Sequence, residues 1–158
     1  MKNKLLMLAL LFILCSLNLK ANTKVININT IVQSASIQNK QVMVFFHMSY
    51  CGYCKRMKNR TLNNTVIQNY IDKHFILVDI NIDDTEKVLL DNISYSKQDF
   101  ADEFDIDLFP TVIFFDKDID VTYTSRGYRK VKKFQKILEF IHTQAFEKVD
   151  FFDYYKGK

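Results

Sequence analysis

The spacing of apolar and polar positions changes several times along the chain, and each change marks the boundary of a predicted element. Gln41 to His47 contains the continuous apolar run Val42-Met43-Val44-Phe45-Phe46, rich in Val and Phe, which predicts a buried strand. Phe75 to Asn81 predicts a second one. Between them, Cys51 to Asn59 reads as helix and Thr65 to Lys73 as its continuation after a break near Asn63-Asn64. Strand, helix and strand make a βαβ unit, so the two strands should run parallel. Upstream, Thr30 to Gln38 predicts a short first helix.

From Asp83 to Tyr95 the chain is polar, with Val88, Leu89 and Leu90 embedded. Ser96 then caps a predicted helix running to about Phe104, with Asp99 in its first turns. Leu108-Phe109-Pro110 interrupts the pattern. Thr111 to Phe115 and Val121 to Ser125, separated by Asp116-Lys117-Asp118, have the layout of an antiparallel hairpin. A last helix is expected from about Lys130 to Glu147, with Val131, Phe134, Ile137, Leu138, Ile141 and Ala145 at helical spacing.

The first 21 residues follow other rules. Lys2 and Lys4 precede the apolar run Leu5 to Leu14, and a small residue, Ala21, offers a cleavage point, which together read as a secretory signal. The run is shorter than the roughly 20 residues that span a bilayer, and Leu14 is bulky where bacterial lipoprotein signals have a small residue before the cysteine. Removing residues 1–21 takes away three lysines and no acid, so the net formal charge falls from +4 to +1. The basic balance therefore belongs mostly to the signal, and no nucleic-acid surface is expected. Residues 22–158 are enough for one domain with one core. A single proline and three glycines imply that each marks a particular backbone geometry.

Export also removes Cys15, leaving Cys51 and Cys54 as the mature cysteines. In an oxidising compartment such a pair can be a structural staple, but closing a loop across two intervening residues removes little chain entropy from the unfolded state. A pair delivered by a buried strand to the start of a helix is better read as redox chemistry. At a helix N-terminus, Cys51 faces unpaired N–H groups and the positive end of the dipole. Its thiol pKa should then be depressed, toward the roughly 3.5 to 7.5 of comparable motifs. Cys51 is the expected nucleophile. Cys54, one turn further on and less exposed, is the expected resolving thiol.

The order β, α, β, α, β, β, α, with Cys51-Gly52-Tyr53-Cys54 at the first strand-to-helix junction and Phe109-Pro110-Thr111 before the hairpin, resembles the thioredoxin fold. The resemblance covers about residues 25–147. It implies an α/β single domain with a central mixed β-sheet flanked by helices, and a cis-proline, Pro110, whose loop lies against the cysteines. It also implies a substrate-contact surface of Tyr50, Gly52, Tyr53, Phe109 and Pro110. No bound cofactor is implied beyond the redox-active disulfide Cys51-Cys54. Gly52-Tyr53 replaces the Gly-Pro of thioredoxin itself and is similar to the motif of the bacterial periplasmic disulfide isomerase. That likeness implies a potential between roughly −270 mV and roughly −120 mV.

One departure from the family pattern matters. Thioredoxin-like reductases commonly hold a buried acid six residues before the first cysteine, and here that position is Phe45. Asp79, on the neighbouring strand, is the candidate substitute as proton acceptor for Cys54; its alternative is an ordinary strand-end carboxylate. The three histidines, His47, His74 and His142, show no i, i+4 pair, so no metal site is expected from them. A two-thiolate Cu(I) site on the cysteines stays open. The aromatic tail Phe151-Phe152-Asp153-Tyr154-Tyr155 either docks on the domain's own surface or meets a partner or membrane.

The expectation is a periplasmic thiol-disulfide oxidoreductase reducing protein or small-molecule disulfides, with a membrane thiol reductase as electron donor. The isomerase's dimerisation domain has no room in this chain, which favours reduction over isomerisation. The alternatives are an isomerase or oxidase role, or a non-catalytic module binding Cu(I) or a partner.

Overall fold

The computed structural model describes residues 25–157. The expected signal segment and Cys15 lie outside them. In chain order the elements are β1 (Val25–Asn27), α1 (Ile28–Ile37), β2 (Gln41–His47), α2 (Gly52–Arg56) continuing as a π-helical turn (Met57–Leu62), α3 (Thr65–His74), β3 (Phe75–Asn81), β4 (Lys87–Leu90), β5 (Ile93–Ser96), α4 (Lys97–Glu103), β6 (Thr111–Phe115), β7 (Val121–Arg126), α5 (Val131–His142), a 3₁₀ turn (Ala145–Glu147) and α6 (Phe151–Lys156).

The central sheet has the order β3-β2-β6-β7. β2 and β3 are parallel, as the βαβ reading requires, while β2–β6 and β6–β7 are antiparallel. Successive side chains of a strand point to opposite faces, and both faces are covered here. Val42, Val44, Phe46, Ile113 and Phe115 pack with Ile28, Val32 and Ala35 of α1 and Phe100 and Ala101 of α4. Met43, Phe45, Val112 and Phe114 pack with Met57, Leu62, Ile67 and Ile71 and with Phe134, Ile137, Leu138, Phe140 and Ile141 of α5. Two apolar faces on β2 explain its unbroken apolar sequence.

A second, three-stranded sheet, β1-β4-β5, occupies the region that reads as polar in sequence. β4 and β5 form a hairpin across Asp91 and Asn92, both at positive φ (49° and 64°), the backbone that a two-residue loop demands. Asn29 on α1 locks that loop: it donates to Asp91 Oδ1 at 2.7 Å and accepts the Asp91 N–H at 2.8 Å.

Helix boundaries follow their caps. α1 begins at Ile28 rather than Thr30, because the Asn27 side chain accepts the Thr30 N–H. The capping box of Ser96 and Asp99 starts α4 as expected. α5 stops at His142 rather than Glu147; Gln144 adopts a left-handed conformation (φ 54°), and only a 3₁₀ turn follows. The aromatic tail forms α6, capped by Asp150, and its Phe151 and Tyr154 lie against Phe140 at ring separations of 5.4 and 5.0 Å. No described helix is long and apolar enough to cross a membrane.

Candidate active site

Cys51 sits at the N-cap of α2 rather than inside it, in extended backbone (φ −97°, ψ 109°). Its sulfur accepts the backbone N–H of Cys54 at 3.0 Å, so one of the four orphan donors at the helix start is spent on the sulfur. Cys51 is bonded to Cys54, with the Cα atoms 5.1 Å apart. Cys51 is partly exposed and Cys54 is buried at 2 %. Attack from outside can therefore reach the first sulfur more readily than the second.

The Leu108-Phe109-Pro110 segment comes against this pair. Cys51 Sγ lies 3.8 Å from the carbonyl oxygen of Phe109, and the Phe109–Pro110 peptide is cis. Pro110 is buried and Phe109 partly so. The Thr111 hydroxyl donates to the Leu108 carbonyl at 2.7 Å, and the Gly127 N–H donates to the Pro110 carbonyl at 2.7 Å. Gly127 holds φ +83°, a conformation that any other residue would strain. Tyr50 is almost fully exposed at 98 % and Tyr53 at 62 %, with Gly52 between the cysteines open to solvent.

Asp79 is the Cα register partner of Phe45. Its carboxylate accepts a hydrogen bond from His47 Nε2 and another from Lys58 Nζ at 2.7 Å. Burial opposes ionisation of Asp79, but the bonds from His47 and Lys58, and then their charges, hold its carboxyl below the usual carboxylate range. Lys58 lies four residues after Cys54, one turn along the same helix. His47 also stacks on Phe45, with ring centroids 5.0 Å apart. The sequence singled out Asp79 but missed both partners. The signal for His47 was available: it stands two residues after Phe45 and so shares its face of β2.

Arg56, Thr61 and Tyr128 make contacts at the site that the sequence did not announce. The guanidinium of Arg56 lies 5.6 Å from the ring centroid of Tyr53 and 5.8 Å from that of Tyr128. Buried Thr61, in the π-helical turn, donates to the Arg129 carbonyl at 2.7 Å and ties the loop carrying Tyr128 to the active-site helix. His74 and His142 come together elsewhere, on α3 and α5, with ring centroids 3.7 Å apart. Among the described residues, no group of three or more His, Cys, Asp or Glu side chains is placed to hold a metal ion.

Comparison with known proteins agrees with this geometry. A family model described as a thioredoxin-like domain matches residues 28–142. A thioredoxin-fold protein from Helicobacter pylori superposes with a TM-score of 0.65 at 25 % identity, over 87 % of this chain and 85 % of its own. A thioredoxin from Thermus thermophilus gives 0.59 at 20 % identity, over 75 % and 85 %. The oxidised C-terminal domain of DsbD from Neisseria meningitidis gives 0.53 at 20 % identity, over 72 % and 89 %. No curated protein sequence matches the chain. The chain belongs to the thioredoxin-like domain family, whose members act through a redox-active disulfide without an external cofactor.

Proposed function

We propose that the protein is an exported thiol-disulfide oxidoreductase that reduces substrate disulfides in the periplasm. The observation that carries the proposal is the Cys51–Cys54 pair at the start of α2, with the outer sulfur both hydrogen-bonded by the Cys54 N–H and set 3.8 Å from the Phe109 carbonyl. A sulfur that accepts an N–H at a helix N-terminus is stabilised as a thiolate. The Phe109 carbonyl beside it is a main-chain acceptor that an extended substrate segment would pair with.

In the dithiol state the Cys51 thiolate attacks one sulfur of a substrate disulfide. A Cys51–substrate mixed disulfide forms and the other substrate sulfur leaves as a thiolate. Cys54, losing its proton, then attacks Cys51 Sγ, forming the Cys51–Cys54 disulfide and releasing the second substrate thiolate. Two electrons pass to the substrate, and a membrane thiol reductase must return them to the pair. Asp79 is assigned as the proton acceptor for Cys54. Lys58 links the Asp79 carboxylate to the helix that carries Cys54. Tyr50, Gly52, Tyr53, Phe109 and Pro110 form the substrate-contact surface. Export rests on the charged and apolar pattern of residues 1–21.

The test is the equilibrium potential of the Cys51/Cys54 couple in mature protein, titrated against dithiothreitol or glutathione, with metal content checked on the same sample. A value near thioredoxin's, roughly −270 mV, supports reduction; one near roughly −120 mV overturns that direction in favour of disulfide donation.

A further inference from the structure

The helix that carries the cysteines is charged on one sign only. Residues 52–62 hold Lys55, Arg56, Lys58 and Arg60 and no acid, and the next acidic residue after Cys54 is Asp72. Lys58 is neutralised by Asp79. Arg56 has no carboxylate partner among the described residues; its guanidinium stands beside Tyr53 and Tyr128, 5.6 and 5.8 Å from ring centroids that are 6.5 Å apart. Tyr53 lies between the two cysteines, and Tyr128 follows Gly127, which is bonded to the Pro110 carbonyl. The trio thus stands next to the segment where Cys51 meets Phe109 and Pro110. Arg129, next in sequence, also lacks a carboxylate partner among the described residues; its Nη1 donates to the Tyr128 carbonyl at 3.2 Å. Two nearby acids are already engaged, Asp79 by His47 and Lys58 and Asp83 by the Ser49 N–H at 2.7 Å.

We infer that this rim selects polypeptide disulfides in which a Glu or Asp flanks the cysteine, with Arg56 as the residue that receives the carboxylate. The inference rests on the oxidoreductase reading above and names its substrate class. A guanidinium with no carboxylate partner keeps its N–H edge free, and that planar edge matches a carboxylate in a way an ammonium does not. Orientation by Tyr53 and Tyr128 also reduces the side-chain freedom lost on binding. An arginine whose charge has no carboxylate partner attracts an acidic side chain to its own position. Charge complementarity therefore favours an acidic polypeptide over a neutral or basic one.

The test uses two disulfide-linked synthetic peptides that differ only in Glu or Gln beside the cysteine, with oxidised glutathione as a third substrate. The readout is the kcat/KM of the dithiol protein. The Glu peptide is expected to be preferred about tenfold at low salt, with the preference shrinking as salt screens the contact. Arg56→Gln should bring the ratio toward one, and Arg56→Lys should retain part of it. Lys133→Gln, which removes a cation near Tyr155 on the surface of α5, should leave the ratio as it is. Equal rates for the two peptides in the unaltered protein, or a preference that survives Arg56→Gln, overturns the inference. Glutathione reduced as fast as the Glu peptide, with the same dependence on Arg56, overturns the polypeptide assignment in favour of small anionic disulfides. Absence of exchange with all three substrates fails the underlying oxidoreductase reading instead.

Discussion

Phe45 and Asp79 face each other as register partners on the parallel strands β2 and β3. The position at which related reductases hold an acid is filled here by an aromatic ring, and the carboxylate stands one strand away, bound to His47 and Lys58. Replacing Asp79 with Asn removes the assigned acceptor while keeping the side chain's shape. Resolution of the mixed disulfide by Cys54 should then slow by about 10², most strongly at neutral and acidic pH, where free hydroxide cannot substitute. Rapid-quench measurement of the Cys51–substrate adduct across pH checks this, and an unchanged profile removes Asp79 from the mechanism.

The same group predicts a stability change in acid. The folded-state pKa of Asp79 lies below its unfolded value, so its contribution is fully present above the ordinary carboxylate range, about pH 4, and is lost as pH falls through the folded value. Urea midpoints measured from pH 6 to pH 2 should fall less steeply for Asp79→Asn than for the unaltered protein.

Exposure separates the two sulfurs, since Cys51 is partly open and Cys54 is buried. Cys54→Ala should accumulate mixed disulfides through Cys51, visible as higher-mass bands on non-reducing gels that vanish with dithiothreitol. Cys51→Ser should accumulate none. A metal-holding module would instead lose metal with either change and trap no adduct.

Lys97 is the one fully buried ammonium in the described residues, 2 % exposed, with Asp84 and Glu86 each 2.9 Å away. Burial alone would lower its pKa, but the hydrogen bonds it donates to Glu86 and Asp84 reverse that and hold it above the ordinary lysine value. Removing both acids, as Asp84→Asn with Glu86→Gln, leaves the Lys97 charge without its partners and should cost about 1–3 kcal/mol in urea unfolding, less than for a fully buried pair because both acids are partly open to solvent. Lys97→Met, which removes the charge itself, should cost less. The reverse order would show that the two acids matter little.

His74 and His142 stack across α3 and α5. The pKa of His74 is lowered by burial and then by the charges of His142 and Lys73. Its folded pKa therefore lies below the unfolded value of about 6.5. The unfolded chain binds the proton first, so stability should decline as pH falls through about 6.5 and level off below the folded value. His142→Gln should flatten that decline in part, because burial, the larger cause, remains. Urea midpoints between pH 8 and pH 5 measure it.

The elements legible in sequence were those whose cause is local. β2 and β6 announce themselves as apolar runs because both of their faces are covered, β3 as one because Phe75, Val78 and Ile80 are buried, and Ser96 with Asp99 caps α4 through neighbours three residues apart. The β4–β5 hairpin was missed although Asp91-Asn92 is a suitable two-residue turn, because Lys87, Ser94 and Ser96 dilute the strand pattern. β1 had no signal of its own: three residues become a strand only because β4, some 60 positions later, pairs with them (Val25 with Lys87). The shortened α5 reflects Gln144 turning left-handed where helical periodicity alone would have continued.

The site divides along the same line. Sequence by itself determined the cysteine pair and its place between strand and helix, because a reactive pair at fixed spacing needs no distant partner to be recognised; the Pro110 segment opposite was implied only by the family resemblance. Tertiary structure decided what surrounds it. Asp79 with His47, Arg56 beside Tyr128, and Lys97 between Asp84 and Glu86 each join side chains whose proximity depends on how strands and loops close over one another. Residue type specifies which bonds such groups can make, and only the closed chain specifies which of them are within reach.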